Sequence, residues 1–354
     1  MKQELDVVAA GSMSRATVHD LAVEAGVSLA TIDRVLNQRG GVRPVTIARV
    51  EQAMARLNYT RDMAAATLAK GREYRFAFLI PTGANTFMRN LMTEVSRLHH
   101  LNRGSRVAIE VIEVPPFDAQ ALAKTLNGLD TAHLSGVAVV ATDSALVRQA
   151  IDRVVGRGLP VATLVSDVPG SRRAHYVGVD NSAAGRTAGS LLGKLLRGTT
   201  GRIAVVAGSM LLRDHAERHF GCEQVLRTEY PHLVTLPVVE GRDDAATAEA
   251  VLGQLLDTHP DIVGVYSLGA GNRGVIAALR KRGLAGKVTV VAHELTEHSR
   301  DALIDGTFDA ILNQDPGHEV RSAVRVLRAM VDGRDIDPGQ ERIRIDIYLR
   351  DNLP

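Results

Sequence analysis

Residues 17–38 read TVHDLAVEAGVSLATIDRVLNQ, a stretch that predicts two short helices joined by a tight turn. Thr17 and Asp20 have the spacing of a capping box, in which each side chain accepts a hydrogen bond from the backbone N–H of the other residue. Gly26 stands where a helix ends in a residue of positive φ, and Ser28 is placed to cap the helix that follows. The stretch therefore predicts a helix-turn-helix, although a three-helix interaction domain of another kind has the same periodicity.

The first 72 residues differ in charge from the rest of the chain. They contain ten Lys or Arg and seven Asp or Glu, a net charge of +3, whereas the remainder has a net charge of −1. A third helix is predicted from Pro44, with apolar residues at helical spacing: Ile47, Val50, Met54 and Leu57. A small basic helical module in front of a neutral body indicates a polyanionic partner for the front part alone.

The composition is that of a globular protein with two or three domains. Of the 354 residues, 45% are hydrophobic and 23% are charged, which excludes a wholly disordered or fibrous chain. A single cysteine, Cys222, excludes an intramolecular disulfide and a cysteine-based metal site, as is typical of a reducing compartment. The first residues lack a signal-peptide pattern, and no apolar run approaches the ~20 residues that span a bilayer. The sequence predicts a cytoplasmic protein with no membrane segment and no metal site.

From Arg75 onward, apolar β-branched runs alternate with helical stretches. The runs are RFAFLIP, VAIEVIEV, GVAVVAT, LPVATLVS, HYVGVD, RIAVVAG, LVTLPVVE, DIVGVYSL, VTVVAHE and DAILN. Near-continuous apolar strands that alternate with helices predict parallel sheets covered by helices on both faces. These strands are too many for one compact sheet, so we expect an α/β body of two similar lobes; a single α/β barrel would need eight even units.

The helix-turn-helix stretch, together with VEQAMARLNY at 50–59, resembles the DNA-binding headpiece of the LacI/GalR family of bacterial transcription regulators. The body resembles, more loosely, the type I periplasmic-binding-protein-like effector domain of that family, which consists of two Rossmann-like lobes. The resemblance implies three parts: an all-α headpiece at 1–60, a hinge helix or linker at 61–72, and an effector-binding and dimerisation domain at 73–354. It implies crossovers near 174, 315 and 337, with lobe 1 at about 73–174 and 315–337 and lobe 2 at about 175–314 and 338–354.

In the headpiece, the resemblance places the second helix in the major groove, with its first residues against base edges. Arg34 is expected to contact guanine in a bidentate manner, and Leu29 and Ala30 to fit a thymine methyl. Contacts to phosphates are expected from Thr17, Ser28, Thr31 and Asn37. Asp33 stands where the family usually has a small hydroxyl residue, and its carboxylate either pairs with Arg34 or accepts a hydrogen bond from cytosine N4.

The segment TRDMAAATLAKGRE at 60–73 matches the hinge of the family, in which a leucine wedges between base steps in the minor groove. Leu68 corresponds to that leucine. Arg61 replaces a proline that relatives carry, and a plain linker helix is the alternative interpretation of the segment.

In the body, side chains that follow strands are expected to line a cleft at the carboxyl ends of the strands. The resemblance implies Asn85, Phe87, Asp143, Arg218, Glu294 and Gln314 as effector-binding residues, and the positions of Asn272 and His293 add these two to the expected set. Carboxylates accept hydrogen bonds from vicinal hydroxyls, arginine donates in a fork, and an aromatic ring stacks on C–H faces. This set predicts a sugar, a polyol or a derivative of one as the effector.

Residues 269–274, GAGNRG, are a competing signal. They follow a predicted strand and open a helix, and Glu294 comes twenty positions after Gly274, which is close to the dinucleotide-binding fingerprint. An NAD-dependent oxidoreductase is therefore one alternative. The fingerprint normally lies in the first βα unit of its domain, and no arrangement for proton transfer follows it here. We favour an approach of these glycines, with Asn272 and Arg273, to a sugar hydroxyl or an acidic group.

A free sugar-binding transport protein is the other alternative, but it requires an export signal and no headpiece. The sequence instead predicts a homodimeric transcription regulator, a repressor without enzymatic activity or cofactor. Each headpiece is expected to occupy half of a near-palindromic operator in double-stranded DNA. No leucine-heptad segment follows the body, which favours a dimer over a tetramer.

Overall fold

The computed structural model describes residues 16–36, 40–57, 59, 73–101 and 106–354. The chain forms two compact units, Met1–Arg72 and Glu73–Pro354. Asn37 and the hinge segment with Leu68, which the sequence analysis assigned to DNA contacts, lie outside the described residues.

The first unit consists of three helices: α1 (Val18–Ala25), α2 (Leu29–Leu36) and α3 (Pro44–Arg56). The capping box is present, because Oγ1 of Thr17 accepts from the Asp20 backbone N–H at 3.3 Å and Oδ2 of Asp20 accepts from the Thr17 N–H at 2.8 Å. Gly26 ends α1 with a φ of +60°. The core of the unit contains Leu21, Ala22, Ala25, Ile32, Val50, Ala53 and Tyr59. The predicted helix-turn-helix and its third supporting helix are confirmed.

The second unit contains two sheets with helices on both faces. The first sheet has five parallel strands in the order β2-β1-β3-β4-β5. These are β1 (Tyr74–Pro81), β2 (Val107–Val114), β3 (Gly136–Val139), β4 (Val161–Leu164) and β5 (His175–Val177). The helices that follow its strands are α4 (Thr86–Leu101), α5 (Ala119–Asn127) and α6 (Ala145–Gly156).

The second sheet repeats this order around its own first strand. Its strands run β12-β11-β10-β9-β6-β7, and β8 also pairs with β6. They are β6 (Gly201–Ala207), β7 (Leu233–Thr235), β8 (Val239–Glu240), β9 (Ile262–Ser267), β10 (Thr289–His293), β11 (Ala310–Asn313) and β12 (Asp346–Tyr348). Its pairs are parallel except that of β11 with β12.

Five further α-helices of the described chain belong to the lobe that contains the second sheet. They are α7 (Asn181–Leu195), α8 (Arg213–Glu229), α9 (Ala245–Thr258), α10 (Asn272–Lys281) and α11 (Glu297–Ile304). One more, α12 (Pro316–Asp332), returns the chain to the first sheet and packs on its strands. The two predicted Rossmann-like lobes are therefore present. Among the described residues, no helix is both long and apolar enough to span a membrane.

Two of the three crossovers come later than the sequence positions assigned to them. The chain was expected to leave lobe 1 near 174, but β5 pairs with β4 in the first sheet, so this crossover follows Val177. The last crossover was expected near 337, yet Ile343 is buried in the core of lobe 1 and Ile345 contacts the cores of both lobes. The polar carboxylate of Glu341 keeps this segment on lobe 1, because it accepts hydrogen bonds from Ser322 and Arg325 of α12.

Candidate functional site

On the first unit, α2 presents the surface that the sequence assigned to DNA. Ile32 points into the core and is fully buried, whereas the opposite side of the helix is open. Ser28, Leu29, Ala30, Asp33 and Arg34 are exposed there, and Thr31 is half-buried. Oγ of Ser28 accepts from the backbone N–H of Thr31 at 3.2 Å and so caps the first turn. The exposed leucine in the first turn of α2 and the exposed arginine in its last turn are the residue types that read a thymine methyl and guanine.

In the second unit, the candidate site lies where the loops after the strands of both lobes meet. In an α/β sheet with this strand order, ligands bind at the carboxyl ends of the strands. The site lies at the point where the strand order reverses, because the chain adds one strand on one side of the first strand and the next strands on its other side. In lobe 1 this point lies between β1 and β3, and in lobe 2 between β6 and β9. The residues after β1 and β3 include Asn85 and Asp143, two of those predicted from sequence.

Polar contacts at the mouth of the cleft cross from one lobe to the other. Nδ2 of Asn85 donates to Oδ2 of Asp243 at 2.7 Å. Asp143 accepts from Arg148 of its own lobe at 2.7 Å and lies 3.7 Å from Nη1 of Arg213, at the start of α8 in lobe 2. These contacts hold the two sets of loops together at the mouth of the cleft.

Two adjoining cavities occupy the cleft. One has a volume of about 220 Å³ and is lined by Asn85 and by mostly apolar residues of lobe 1. The other, of about 100 Å³, is more polar. Three of the predicted residues, Phe87, Asn272 and Glu294, line this polar cavity, together with Arg273 and His298.

Arg218 is at the centre of a buried polar network behind the cavities. It is 1% exposed, and it donates through Nε to Oδ1 of Asn181 at 2.8 Å and through Nη1 to the carbonyl of Leu268 at 2.7 Å. Gln314 fits between Arg218 and Glu319, its amide oxygen 3.2 Å from Nη2 of Arg218 and its amide nitrogen 2.9 Å from Oε1 of Glu319. Arg218 and Gln314 do not line either of the two cavities, and they position the loops around them.

His293 and Asn272 are also held by the protein itself. Nε2 of His293 lies 2.8 Å from the hydroxyl of Tyr266, and burial holds the pKa of this imidazole well below its usual range. Nδ2 of Asn272 donates to the carbonyl of His293 at 2.9 Å, and Oδ1 of Asn272 accepts from Ser267 at 2.7 Å. These contacts fix the loop that carries the polar cavity.

Three carboxyl groups near the cleft have raised pKa values. Burial raises the pKa of Glu294 to about 8 and that of Glu319 well above the ordinary range, in both cases against the opposing effect of Arg218. Burial also raises the pKa of Asp243, with His215 and Asn85 opposing the shift. Oδ1 of Asp243 and Oε2 of Glu319 are buried and make no hydrogen bond within the described structure. A protonated carboxyl both donates and accepts, which suits the hydroxyl groups of a polyol.

The glycines of GAGNRG serve packing within lobe 2. Gly271 precedes α10 with a φ of +105°, and a side chain at Gly274 would collide with the backbone of α9 at Ala245. A side chain at Gly269 would collide with the imidazole of His215. The motif therefore has a structural explanation that requires no dinucleotide. No group of three or more His, Cys, Asp or Glu side chains within the described ranges is arranged to hold a metal ion.

Several residues of the cleft were not predicted from the sequence. They are Thr142, Arg213, Asp214, Asp243 and Glu319. Arg213 and Asp243 come between strands of lobe 2 and the helices that follow them or at the start of such a helix. The expectation that side chains after strands line the cleft therefore covers them as well. Glu319 lies on α12, a helix of the other lobe, and no local pattern indicates its proximity to Arg218.

A helix-turn-helix unit followed by two Rossmann-like lobes with a polar cleft defines a class of ligand-responsive DNA-binding proteins. Residues 17–62 match the family model of bacterial regulatory proteins, lacI family, and residues 76–335 match the periplasmic binding protein domain. The chain belongs to the LacI family, with a body that belongs to the periplasmic binding protein family.

Individual proteins agree with this assignment. The ribose operon repressor of Bacillus subtilis (strain 168) is 28% identical over 260 residues, which cover 71% of this chain and 72% of that protein. GanP, a glucose-galactose binding protein from Geobacillus stearothermophilus, superposes with a TM-score of 0.72 at 22% identity over 80% of this chain and 99% of its own. An ABC transporter solute-binding protein from Burkholderia graminis C4D1M, solved with D-arabinose, has a TM-score of 0.72 at 24% identity, covering 79% and 96%.

Proposed function

We propose that this protein is a transcriptional repressor whose affinity for operator DNA is controlled by a sugar or sugar-like effector. The observation that carries the proposal is the exposed face of α2 within a helix-turn-helix of the LacI family, on the same chain as a two-lobed body with a polar cleft. The ribose operon repressor aligns with 71% of this chain, which supports a repressor function.

DNA recognition is assigned to the exposed residues of the first unit. Leu29, Ala30 and Arg34 contact base edges, and Thr17, Ser28 and Thr31 contact phosphates. Asp33, Asn37 and Leu68 complete the proposed set. A homodimer places two headpieces on two half-sites that are about one helical turn apart. Because its operator is chromosomal DNA, such a repressor acts in the cytoplasm.

Effector binding is assigned to the cleft of the second unit. Asn85, Phe87, Asn272 and Glu294 line its two cavities and contact the effector directly. Asp143, Arg218, His293 and Gln314 position the loops. Binding between the lobes favours one angle between them, and this two-state body couples the cleft to the spacing of the headpieces in the dimer.

Fluorescence anisotropy of the full chain with DNA fragments from its own genomic neighbourhood tests this function. We expect saturable binding to at least one fragment at moderate salt, and a change in its midpoint with one member of a panel of sugars and polyols. Binding that is equally weak for these fragments and for random DNA, at low and moderate salt, would reject the proposal. Thermal shift with the same panel provides an independent measurement of effector binding.

The oxidoreductase alternative makes a different prediction, because it requires binding of NAD by the second unit. The relatives named above include a transcriptional repressor, and the glycines of GAGNRG contact protein groups. Titration with NAD in the same thermal shift assay should leave the melting temperature unchanged.

A further inference from the structure

The cavity of about 220 Å³ is far larger than the roughly 10–15 Å³ that one water molecule requires. Most of its wall is apolar. The apolar wall is formed by the ends of β1 and β2, the loop after β2, and the helices α4 and α5, through Pro81, Met88, Val114, Pro116, Phe117 and Leu122. We call it the apolar cavity, and the neighbouring one the polar cavity.

The carboxylates at the apolar cavity are largely occupied by contacts to protein. Oδ1 of Asp118 accepts from the backbone N–H groups of Gln120 and Ala121 and caps α5. Oδ1 of Asp244 accepts from the N–H of Thr247 and caps α9. Asp243 accepts from Asn85. The hydroxyl of Thr142 and Oδ1 of Asp243 are the buried polar atoms at this wall that make no hydrogen bond within the described structure. The mostly apolar wall therefore offers fewer partners to a ligand group with many hydroxyls than the polar cavity does.

The two cavities adjoin each other. Ala84, Asp243 and Asp244 line both of them, so one ligand can extend from one cavity into the other past the contact of Asn85 with Asp243. The polar cavity presents Glu294, Asn272 and Arg273, which suit a sugar ring. A ligand that fills both cavities carries a polar end and an apolar end.

Phe117 has an unusual backbone that supports a role for its ring. Its φ is +59°, a left-handed conformation that is strained for a residue with a bulky side chain. Pro115 and Pro116 immediately precede Phe117, and their rings fix φ at both positions. Strain of this kind persists where the surrounding structure enforces it, and it is concentrated at binding sites.

We propose that the effector is a glycoside with an apolar aglycone, in which the sugar occupies the polar cavity and the aglycone occupies the apolar cavity. The inference rests on the proposed function, since it names the ligand class of the same cleft. Free sugars fill only the polar cavity and bind more weakly.

Isothermal titration calorimetry of the full chain tests the inference with pairs of methyl and phenyl β-D-glycosides of glucose, galactose and ribose. In at least one pair we expect the phenyl glycoside to bind at least about tenfold more tightly than the methyl glycoside, because only its ring reaches the apolar cavity. Phe117→Gly removes the ring and also the strain of positive φ, so it should fold and lose this preference. Phe117→Leu retains an apolar side chain on the same backbone and should keep most of the preference.

The outcomes separate this inference from the proposed function. If a methyl glycoside binds and changes operator affinity but its phenyl partner binds no better, the inference is wrong and the repressor function stands. If the phenyl preference persists unchanged in Phe117→Gly, the assignment to the apolar cavity is wrong. If no glycoside or free sugar of the panel binds, both the inference and the proposed sugar control are contradicted.

Discussion

Nδ2 of Asn85 donates to Oδ2 of Asp243 at 2.7 Å, and this contact joins the loop after β1 in lobe 1 to the loop before α9 in lobe 2. Asp243 adopts a φ of +57°, and the absence of a side chain at Gly208 leaves room for its carboxylate. The contact thus depends on a strained residue that is held in place from both lobes. Because this hydrogen bond crosses the cleft, its strength bears on how readily the lobes separate.

We expect Asp243→Asn and Asp243→Ala to differ in their effect. Asparagine tolerates positive φ and can accept from Asn85 without a buried charge, so the melting temperature should stay close to that of the wild type. Alanine removes the acceptor and retains the strained φ, at a cost of about 1–2 kcal/mol. Chemical denaturation measures the free energy of unfolding of both variants. Equal destabilisation by the two variants would show that the contact between the lobes contributes nothing.

Glu294 should make stability depend on pH. Burial raises its pKa to about 8, from an ordinary value of 4.5, so the folded chain holds this proton more tightly than the unfolded chain does. The stabilisation is complete below 4.5 and is lost as pH rises to about 8, because the unfolded state releases its proton first. Glu294→Gln has no proton to release. Its melting temperature should therefore increase relative to the wild type as the pH is raised from 5 to 8.

Glu297→Gln is the matched control for this measurement. Glu297 is exposed in the first turn of α11, three residues further along the chain. This variant should follow the wild type at every pH. A constant difference in melting temperature between Glu294→Gln and the wild type across this range would contradict the assignment.

Arg218 should contribute to the stability of the fold, although it lines neither cavity. It is 1% exposed, and its Nη1 lies 3.9 Å from Oδ2 of Asp214, a residue that is itself buried. Arg218→Ala removes the cation and leaves Asp214 among buried groups, at a cost of about 3–5 kcal/mol. Adding Asp214→Asn should recover part of this loss, and urea denaturation of the double-mutant cycle measures the coupling.

Glu319→Gln is the control for that cycle. Burial raises the pKa of Glu319 well above its usual range, and its carboxyl reaches Arg218 through the amide of Gln314. Its replacement by glutamine should therefore rescue Arg218→Ala less than Asp214→Asn does. If Glu319→Gln rescues Arg218→Ala as well as Asp214→Asn does, general packing, and not the charge of Asp214, determines the loss of stability.

Much of the fold follows from local sequence. Ten apolar runs predicted the parallel strands, and the structure splits one of them at Pro237, because proline cannot donate to the ladder, into β7 and β8. Strand β12 was missed. Its residues alternate in character and it pairs at the edge of the sheet, antiparallel to β11, so it lacks the continuous apolar run of a buried strand.

The cleft was less accessible to sequence reasoning, for a geometric reason. The family resemblance, together with the position after a strand, indicated Asn85 and Glu294, because each of these loops can be located from its own stretch of sequence. It could not identify Asp243 as the partner of Asn85, since that pairing depends on how the two lobes face each other. Nor could it distinguish a side chain that lines a cavity from Arg218, which is buried behind both cavities.

Arg34 tests the DNA-binding surface of the first unit. It is exposed on the open side of α2, where the resemblance places a bidentate contact with guanine. Arg34→Ala should weaken binding to the operator by about 1–3 kcal/mol and relax the choice of base at one position of each half-site, as measured by anisotropy with a set of single-base operator variants. Arg97→Ala removes an exposed arginine that pairs with Glu94 in the second unit, and it should leave operator affinity unchanged. A uniform loss of affinity over all the operator variants, together with a smaller salt dependence, would instead make Arg34 a phosphate contact.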